Sequence, residues 1–82
     1  MPNKGTVRRR NQDIIDNIGR NIRKYRKLKG LTIVELSYLA KVEAKQISRL
    51  ELGQNDPTAS TLSFISEALK IDITQLFEKE QD

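Results

Sequence analysis

The chain has 82 residues, of which 37% are hydrophobic, and it contains neither cysteine nor histidine. These absences exclude disulfides, thiolate metal sites and the commonest metal ligand and acid–base group, so we expect no metal and no cofactor. The length fits one small domain, and because no apolar run reaches membrane-spanning length and no signal-peptide pattern opens the chain, we expect a cytoplasmic protein.

The net charge of +4 is distributed unevenly along the chain. Residues 1–29 hold ten Lys and Arg against two Asp, giving +8, whereas residues 30–82 hold five Lys and Arg against nine Asp and Glu, giving −4. A basic half indicates a polyanionic partner, although many domains carry such a charge for solubility alone.

The chain begins with a basic segment and a long amphipathic helix. Residues 1–10, MPNKGTVRRR, are predicted to be a flexible arm, which either touches a nucleic acid or is simply a disordered terminus. Helix 1 is predicted over residues 11–29, where apolar side chains recur every three or four residues and Gly30 suits a left-handed C-terminal cap. The recurring side chains are Ile15, Ile18, Ile22 and Tyr25.

Four shorter helices are predicted after helix 1. Helix 2 begins after Thr32, which forms a capping box with Glu35, and helix 3 covers residues 44–52 and stops at Gly53. Helix 4 follows the cap Thr58 and ends near residue 69 or 70, and a last short helix covers residues 74–78. Since apolar and polar residues nowhere alternate over a sustained run, we predict an all-α, compact five-helix domain over residues 11–78 and an acidic tail over residues 79–82.

Helices 2 and 3 form a pair joined by a tight turn. At about 100° per residue, helix 2 places one set of small and apolar residues on a single face, namely Ile33, Leu36, Ser37 and Ala40. Helix 3 turns Ile47, Leu50 and Glu51 inward, while Lys45 and Arg49 lie on the opposite side with Gln46 beside them. Long hydrogen-bonding side chains of this kind can bond guanine and adenine edges in the DNA major groove, but they would equally populate a solvated helix face.

Four segments carry a resemblance to a known family: IGRNIRKYRKLKGLT, ISRLELG, NDPTASTL and EALKIDITQLF. In this order and spacing, over about residues 18–77, the chain resembles the Cro/repressor-like helix-turn-helix proteins (the XRE family). The resemblance implies a sequence-specific DNA-binding transcriptional regulator whose helix 3 enters the major groove. It also implies base contacts from Ala44, Lys45, Gln46 and Arg49, and phosphate contacts from Thr32, Gln54, Asn55 and Thr58.

Glu51 points inward on the wheel of helix 3, and a buried carboxylate needs a partner. The resemblance implies that this partner is Arg26, near the end of helix 1, in a structural ion pair. A single Arg–Glu pair is no reaction centre, and the chain lacks a nucleophile–base set, so we expect no enzyme.

The sequence departs from the family pattern at three positions. Ile33 stands where the family usually has a glutamine that bonds a phosphate, and Lys41 stands where the turn usually has glycine. Glu43 replaces the usual Ser or Thr cap of helix 3, and glutamate is a poor cap. These departures weaken the expectation of ordinary DNA affinity without changing the predicted fold.

One recognition helix contacts only a few base pairs, so proteins of this build bind palindromic operators as twofold homodimers, with half-sites about 34 Å apart. Phe64 lies far from Leu62 and Leu69 on the wheel of helix 4, and we predict a dimer interface of Phe64 with Ile73 and Phe77. The alternative is that Phe64 packs under a neighbouring loop or the last helix.

Two classes of function stay open at this point. The first is a DNA-binding repressor or controller, and the alternative is a protein-binding module, such as an antitoxin, that occupies a toxin or another regulator. Phage, restriction–modification and toxin–antitoxin contexts, and the operator sequence, are not separated by these residues.

Overall fold

Four α-helices and one 3-10 helix make up the regular structure of residues 9–79, which are the residues that the computed structural model describes. They are α1 (Gln12–Leu28), α2 (Ile33–Ala40), α3 (Ala44–Glu51), α4 (Ala59–Leu69) and the 3-10 helix (Ile73–Phe77). The predicted all-α class is confirmed, but the count of five α-helices is wrong. Most of the predicted arm (residues 1–8) and of the acidic tail (residues 80–82) lies outside the described residues.

The ends of α1 follow from local hydrogen bonding. The side chain of Asn11 accepts a hydrogen bond from the backbone N–H of Ile14 at 3.2 Å, which caps the helix, and the chain turns away at Gly30 with φ of 71°. Between these ends, Ile15, Ile18 and Ile22 are buried. The apolar spacing of three and four residues therefore places one face of α1 in the core, as predicted.

The pair α2–α3 is held by a reciprocal cap and a tight turn. Thr32 Oγ1 accepts from the N–H of Glu35 at 3.0 Å, and the Glu35 carboxylate accepts from the N–H of Thr32 at 2.8 Å. Lys41 ends α2 in the left-handed region with φ of 57°, and the N–H of Val42 donates to the carbonyl of Ser37. This left-handed residue reverses the chain within three residues, so α3 packs against α2.

One apolar core joins all five elements within residues 9–79. Leu36 and Ala40 of α2 and Ile47 of α3 are buried in it, and α1 contacts both α3 and the 3-10 helix. The remaining core side chains are Ile18, Ile22, Val42, Leu50, Leu62, Ile65, Leu69 and Leu76. Over the same residues, no helix has the length and apolar character needed to cross a lipid bilayer.

The last element ends where side chains of α1 donate to its final carbonyl groups. Asn21 donates to the carbonyl oxygens of Leu76 and Glu78, both at 2.8 Å, and Asn17 donates to those of Phe77 and Glu78 at 3.2 and 2.9 Å. These bonds satisfy the last carbonyl groups of the element, which have no partner inside a helix that ends there. The last short helix, predicted over residues 74–78, is a 3-10 helix of five residues, Ile73–Phe77.

The beginning of the 3-10 helix is closed by a second capping box. The carboxylate of Asp72 accepts hydrogen bonds from the N–H and the hydroxyl of Thr74 at 2.9 and 2.7 Å, and Gln75 accepts from the N–H of Asp72. The bonds from Thr74 favour the charged carboxylate and lower the pKa of Asp72 below its usual value. The segment is thus anchored at both ends, although it is too short to be stable alone.

Candidate nucleic-acid interface

The exposed face of α3 carries two cations. Lys45 and Arg49 are exposed, and neither makes a hydrogen bond or ion pair with another residue between 9 and 79. Ala44 and Gln46 are half-buried in the first turn, while Ile47 on the other side is fully buried. The structure therefore places three of the four predicted base-contact residues in the first turn of α3 and Arg49 one turn further on, with both charged residues exposed.

Leu52 belongs to the same face, and the sequence reasoning did not assign it. It follows α3 directly and is 65% exposed, although it is a large apolar residue. Seven residues separate it from Lys45, so the two lie within about 20° of one another on the helical wheel. An exposed leucine beside hydrogen-bonding cations offers an apolar contact of the kind that thymine methyl groups accept. The spacing of seven residues between Lys45 and Leu52 is the sequence pattern that would have indicated this position.

The beginning of α2 presents Thr32 at the surface. Its hydroxyl oxygen accepts from the N–H of Glu35, which leaves the hydroxyl proton available to a further acceptor. Ile33, the next residue, packs half-buried against the core instead of offering the hydrogen bond that glutamine would supply there. At this end of α2, the polar groups that can reach a phosphate are therefore the Thr32 hydroxyl and the backbone.

The turn into α3 shows the cost of the other two departures. Lys41 adopts φ of 57°, a conformation that disfavours residues other than glycine. Glu43 occupies the N-cap position of α3 without making a side-chain cap hydrogen bond. Both residues are exposed, so their side chains do not disturb the core beneath α3.

The loop between α3 and α4 holds the other predicted phosphate contacts. Gln54 is exposed and Asn55 is half-buried, and Thr58 caps α4 by accepting from the N–H of Thr61 at 3.1 Å. The carbonyl of Gly53 accepts from Gln12 Nε2 at 2.8 Å, which ties the start of the loop to α1. The loop thus has a defined path next to the C-terminal end of α3.

Arg26 of α1 and Glu51 of α3 form a bidentate ion pair beneath this surface. Nε and Nη2 of Arg26 donate to the two carboxylate oxygens of Glu51 at 2.7 and 3.0 Å, and Nη1 donates to the carbonyl of Leu31 at 2.8 Å. Only 9% of the Arg26 side chain and 3% of the Glu51 side chain are exposed. Hydrogen bonding to Glu51 raises the pKa of Arg26, with burial acting in the opposite direction, so the guanidinium stays charged.

The predicted dimer residues lie in different surroundings. Phe64 of α4 is 50% exposed and borders a groove together with Leu39 at the end of α2. Phe77 is 42% exposed and borders another hollow beside Ile14 of α1, while Ile73 is half-buried against the core. Phe64 and Phe77 therefore line different hollows, and Phe64 shares its groove with Leu39.

The interface offers binding chemistry. Its polar groups are cations, amides and hydroxyls, which suit a polyanion with hydrogen-bonding edges. Within residues 9–79, no three acidic side chains gather to hold a metal ion.

The chain is similar to known helix-turn-helix proteins. Residues 19–81 match the family model of a helix-turn-helix domain. The chain is 38% identical over 64 residues to the HTH-type transcriptional regulator SlrR of Bacillus subtilis; the aligned region is 77% of this chain and 42% of the relative. The chain thus spans less than half the length of that curated relative.

Solved structures are also similar to this one. The restriction-modification controller protein C.AhdI from Aeromonas hydrophila superposes with a TM-score of 0.75 and 25% identity, over 77% of this chain and 96% of that chain. The clp gene regulator ClgR from Corynebacterium glutamicum gives a TM-score of 0.74 and 25% identity, over 77% and 67% of the two chains. An HTH_3 family regulator from Vibrio cholerae, at 24% identity and a TM-score of 0.78 over 80% and 37%, shares the fold.

Proposed function

We propose that this chain, which belongs to the Cro/repressor-like family of helix-turn-helix transcriptional regulators, is a sequence-specific DNA-binding repressor or controller that places α3 in the major groove. The exposed surface of α3 is the proposed DNA-binding site. We also propose a cytoplasmic location.

The observation that carries the proposal is the division of α3 into two faces. Ile47 and Leu50 are buried, whereas Lys45 and Arg49 are exposed and have no partner within residues 9–79. Two unpaired cations on one helix face repel each other weakly, and their electrostatic energy falls when hydrogen-bond acceptors approach them. Guanine O6 and N7 are such acceptors in the major groove, and Gln46 can bond an adenine from its place beside Lys45.

Contacts to the DNA phosphates would fix the depth and register of α3 in the groove. We assign them to the hydroxyl of Thr32, to the exposed Gln54 and half-buried Asn55 of the loop, and to Thr58 at the start of α4. Phosphate contacts of this kind hold orientation and add affinity without reading sequence. These residues precede and follow α3 in the chain, so they would contact DNA phosphates on both sides of α3.

The operator in this proposal is a palindrome bound by a homodimer. A single α3 of eight residues covers too few bases for specificity, and twofold dimers repeat the contact one helical turn away. Phe64 is the proposed anchor, since an aromatic ring that is half exposed can bury further against a second copy. Leu39 borders the same groove and extends the apolar area. Ile73 and Phe77 are the remaining proposed interface residues.

The decisive experiment begins with selection of preferred sequences from a random duplex library by the full chain. The affinity of the selected duplex and of a scrambled duplex is then measured at one salt concentration for wild type, Lys45→Ala and Arg49→Ala. Each variant is expected to lower the ratio of the two affinities by about 5- to 140-fold, which corresponds to about 1–3 kcal/mol per base contact.

Lys24→Ala is the matched control, because it removes one exposed cation that pairs with Glu78 on another side of α1. It is expected to keep the ratio of specific to scrambled affinity. If both α3 variants keep that ratio as well, α3 does not read sequence. A library that yields no preferred sequence, with binding that is insensitive to salt, would support a protein-binding module in place of a DNA reader.

A further inference from the structure

Arg10 lies against the loop that follows α3. Its Nη2 donates to the carbonyl of Gln54 at 3.3 Å, although 44 residues separate the two in sequence. Two residues later, Gln12 Nε2 donates to the carbonyl of Gly53 at 2.8 Å and to Asp16 Oδ1 at 2.9 Å. Two consecutive loop carbonyls therefore accept hydrogen bonds from the residues at the beginning of α1, and these two segments form one edge of the molecule.

The charge at this edge is carried by guanidinium groups. Arg9 and Arg10 are both exposed, and Arg10 uses one of its five N–H groups on the carbonyl of Gln54. Two carboxylates lie near them: Asp16 is engaged by Gln12, and Asp13 borders the same hollow as the arginines. The edge thus presents several N–H donors beside carboxylates that do not consume them.

We propose that Arg9 and Arg10 bind DNA phosphates next to those contacted by Gln54 and Asn55. The proposal rests on the proposed function, because the loop approaches the DNA backbone only when α3 occupies the groove. Since Arg10 is hydrogen-bonded to the loop, its guanidinium would approach the DNA backbone together with the loop. Guanidinium groups bind phosphates in a bidentate manner, and such contacts are indifferent to base sequence.

These contacts would make a contribution to DNA affinity that can be measured separately through its dependence on salt concentration. Each phosphate neutralised by a cation adds about 0.9 to the slope of log K against log salt concentration. Two arginines therefore account for about 1.8 of the slope. Between about 50 and 200 mM salt, wild type should lose about 12-fold more affinity than a chain without them.

The test compares two variants of the full chain that lose the same charge. Arg9→Ala/Arg10→Ala is the test variant, and Lys24→Ala/Lys79→Ala is the control, whose exposed cations lie beside the 3-10 helix. Affinity for a mixed-sequence duplex and for the selected duplex is measured across the salt range. The arginine variant is expected to flatten the slope on both duplexes alike and to keep their affinity ratio, while the lysine control keeps most of the slope.

A second measurement locates the contact. Single phosphates of the selected duplex are replaced by neutral methylphosphonates, and the loss of affinity is compared between wild type and the arginine variant. We expect one or two phosphate positions at which the substitution lowers the affinity of wild type but not that of the arginine variant. These positions should lie next to the phosphates whose substitution no longer lowers the affinity of a Gln54→Ala variant.

The outcomes separate this inference from the proposed function. If wild type binds the duplexes with salt dependence, but the arginine variant keeps the wild-type slope and responds to the same phosphates, the arginine contact is overturned and the α3 assignment stands. If wild type binds neither duplex in a salt-dependent manner, both proposals are overturned. A ratio of affinities that collapses in the arginine variant would also overturn the contact as stated, because it would mean base reading.

Discussion

Gly19 of α1 lies directly against the backbone of α3, where a Cβ atom at Gly19 would overlap the carbonyl oxygen of Leu50. The same Cβ would lie 3.0 Å from the carbonyl oxygen of Glu51. Both obstacles are backbone atoms, which cannot move aside as a flexible side chain can. The absence of a side chain at Gly19 therefore sets how closely α3 packs on α1.

This contact predicts that Gly19→Ala destabilises the protein. Helix propensity alone predicts the opposite, since alanine in a helix interior is about 0.8–1.0 kcal/mol better than glycine. Overpacking against fixed atoms costs about 1–3 kcal/mol, so we expect a net loss, measured as the free energy of unfolding in urea. Gly30→Ala is the control: no atom lies within 4 Å of its Cβ, so its cost comes from φ of 71° alone. A Gly19→Ala variant more stable than wild type would mean that α1 and α3 can shift apart at little cost to accommodate the added methyl group.

The buried pair of Arg26 and Glu51 predicts a strong asymmetry between single and double substitutions. Glu51→Ala leaves the Arg26 guanidinium buried without its carboxylate, and we expect a loss of about 3–5 kcal/mol. Arg26→Met/Glu51→Leu replaces both charges by apolar groups and should cost less, mainly because the Leu31 carbonyl loses a hydrogen bond, worth about 1 kcal/mol. Urea melts of the three proteins check this order. A double variant as unstable as Glu51→Ala would assign the loss to packing, not to the unpaired charge.

Asn21 is predicted to hold the 3-10 helix on α1. Its side chain is buried and donates to two carbonyls at 2.8 Å, so Asn21→Ala should cost about 1–3 kcal/mol and speed amide hydrogen exchange in residues 73–78. Asn21→Asp is the matched control for size, and it should cost at least as much, because a carboxylate cannot donate to these carbonyls. Exchange rates that stay at the wild-type level in both variants would show that Asn17 alone suffices.

Phe64 is predicted to anchor the homodimer. Phe64→Glu places a charge in the groove that Phe64 shares with Leu39, so we expect folded monomers that bind a half-site weakly and lose cooperative binding to a palindrome. Sedimentation of wild type and variant across micromolar concentrations measures the change. Phe77→Glu, on the hollow beside Ile14, tests whether the interface extends that far. Wild type that stays monomeric, or a Phe64→Glu variant that dimerises normally, would remove Phe64 from the interface.

Local patterns in the sequence determined the four α-helices and their inward faces. The apolar spacing of α1, the capping box of Thr32 and Glu35 and the turn at Gly30 all act within about four residues, so they are legible without a structure. The partner of Glu51 was harder to identify, because Arg26 lies 25 residues away. Periodicity gave only its inward direction, and the family resemblance supplied the partner.

Only the tertiary structure decided the remaining features. The contact of Gly19 with the α3 backbone, the grip of Asn17 and Asn21 on the carbonyls of the 3-10 helix, and the bond from Arg10 to Gln54 join residues that are more than 30 positions apart. Such contacts leave no periodic signal, because each depends on how two separate elements are placed in space. For the same reason, local patterns predicted a short last helix but neither its 3-10 hydrogen bonding nor its attachment to α1.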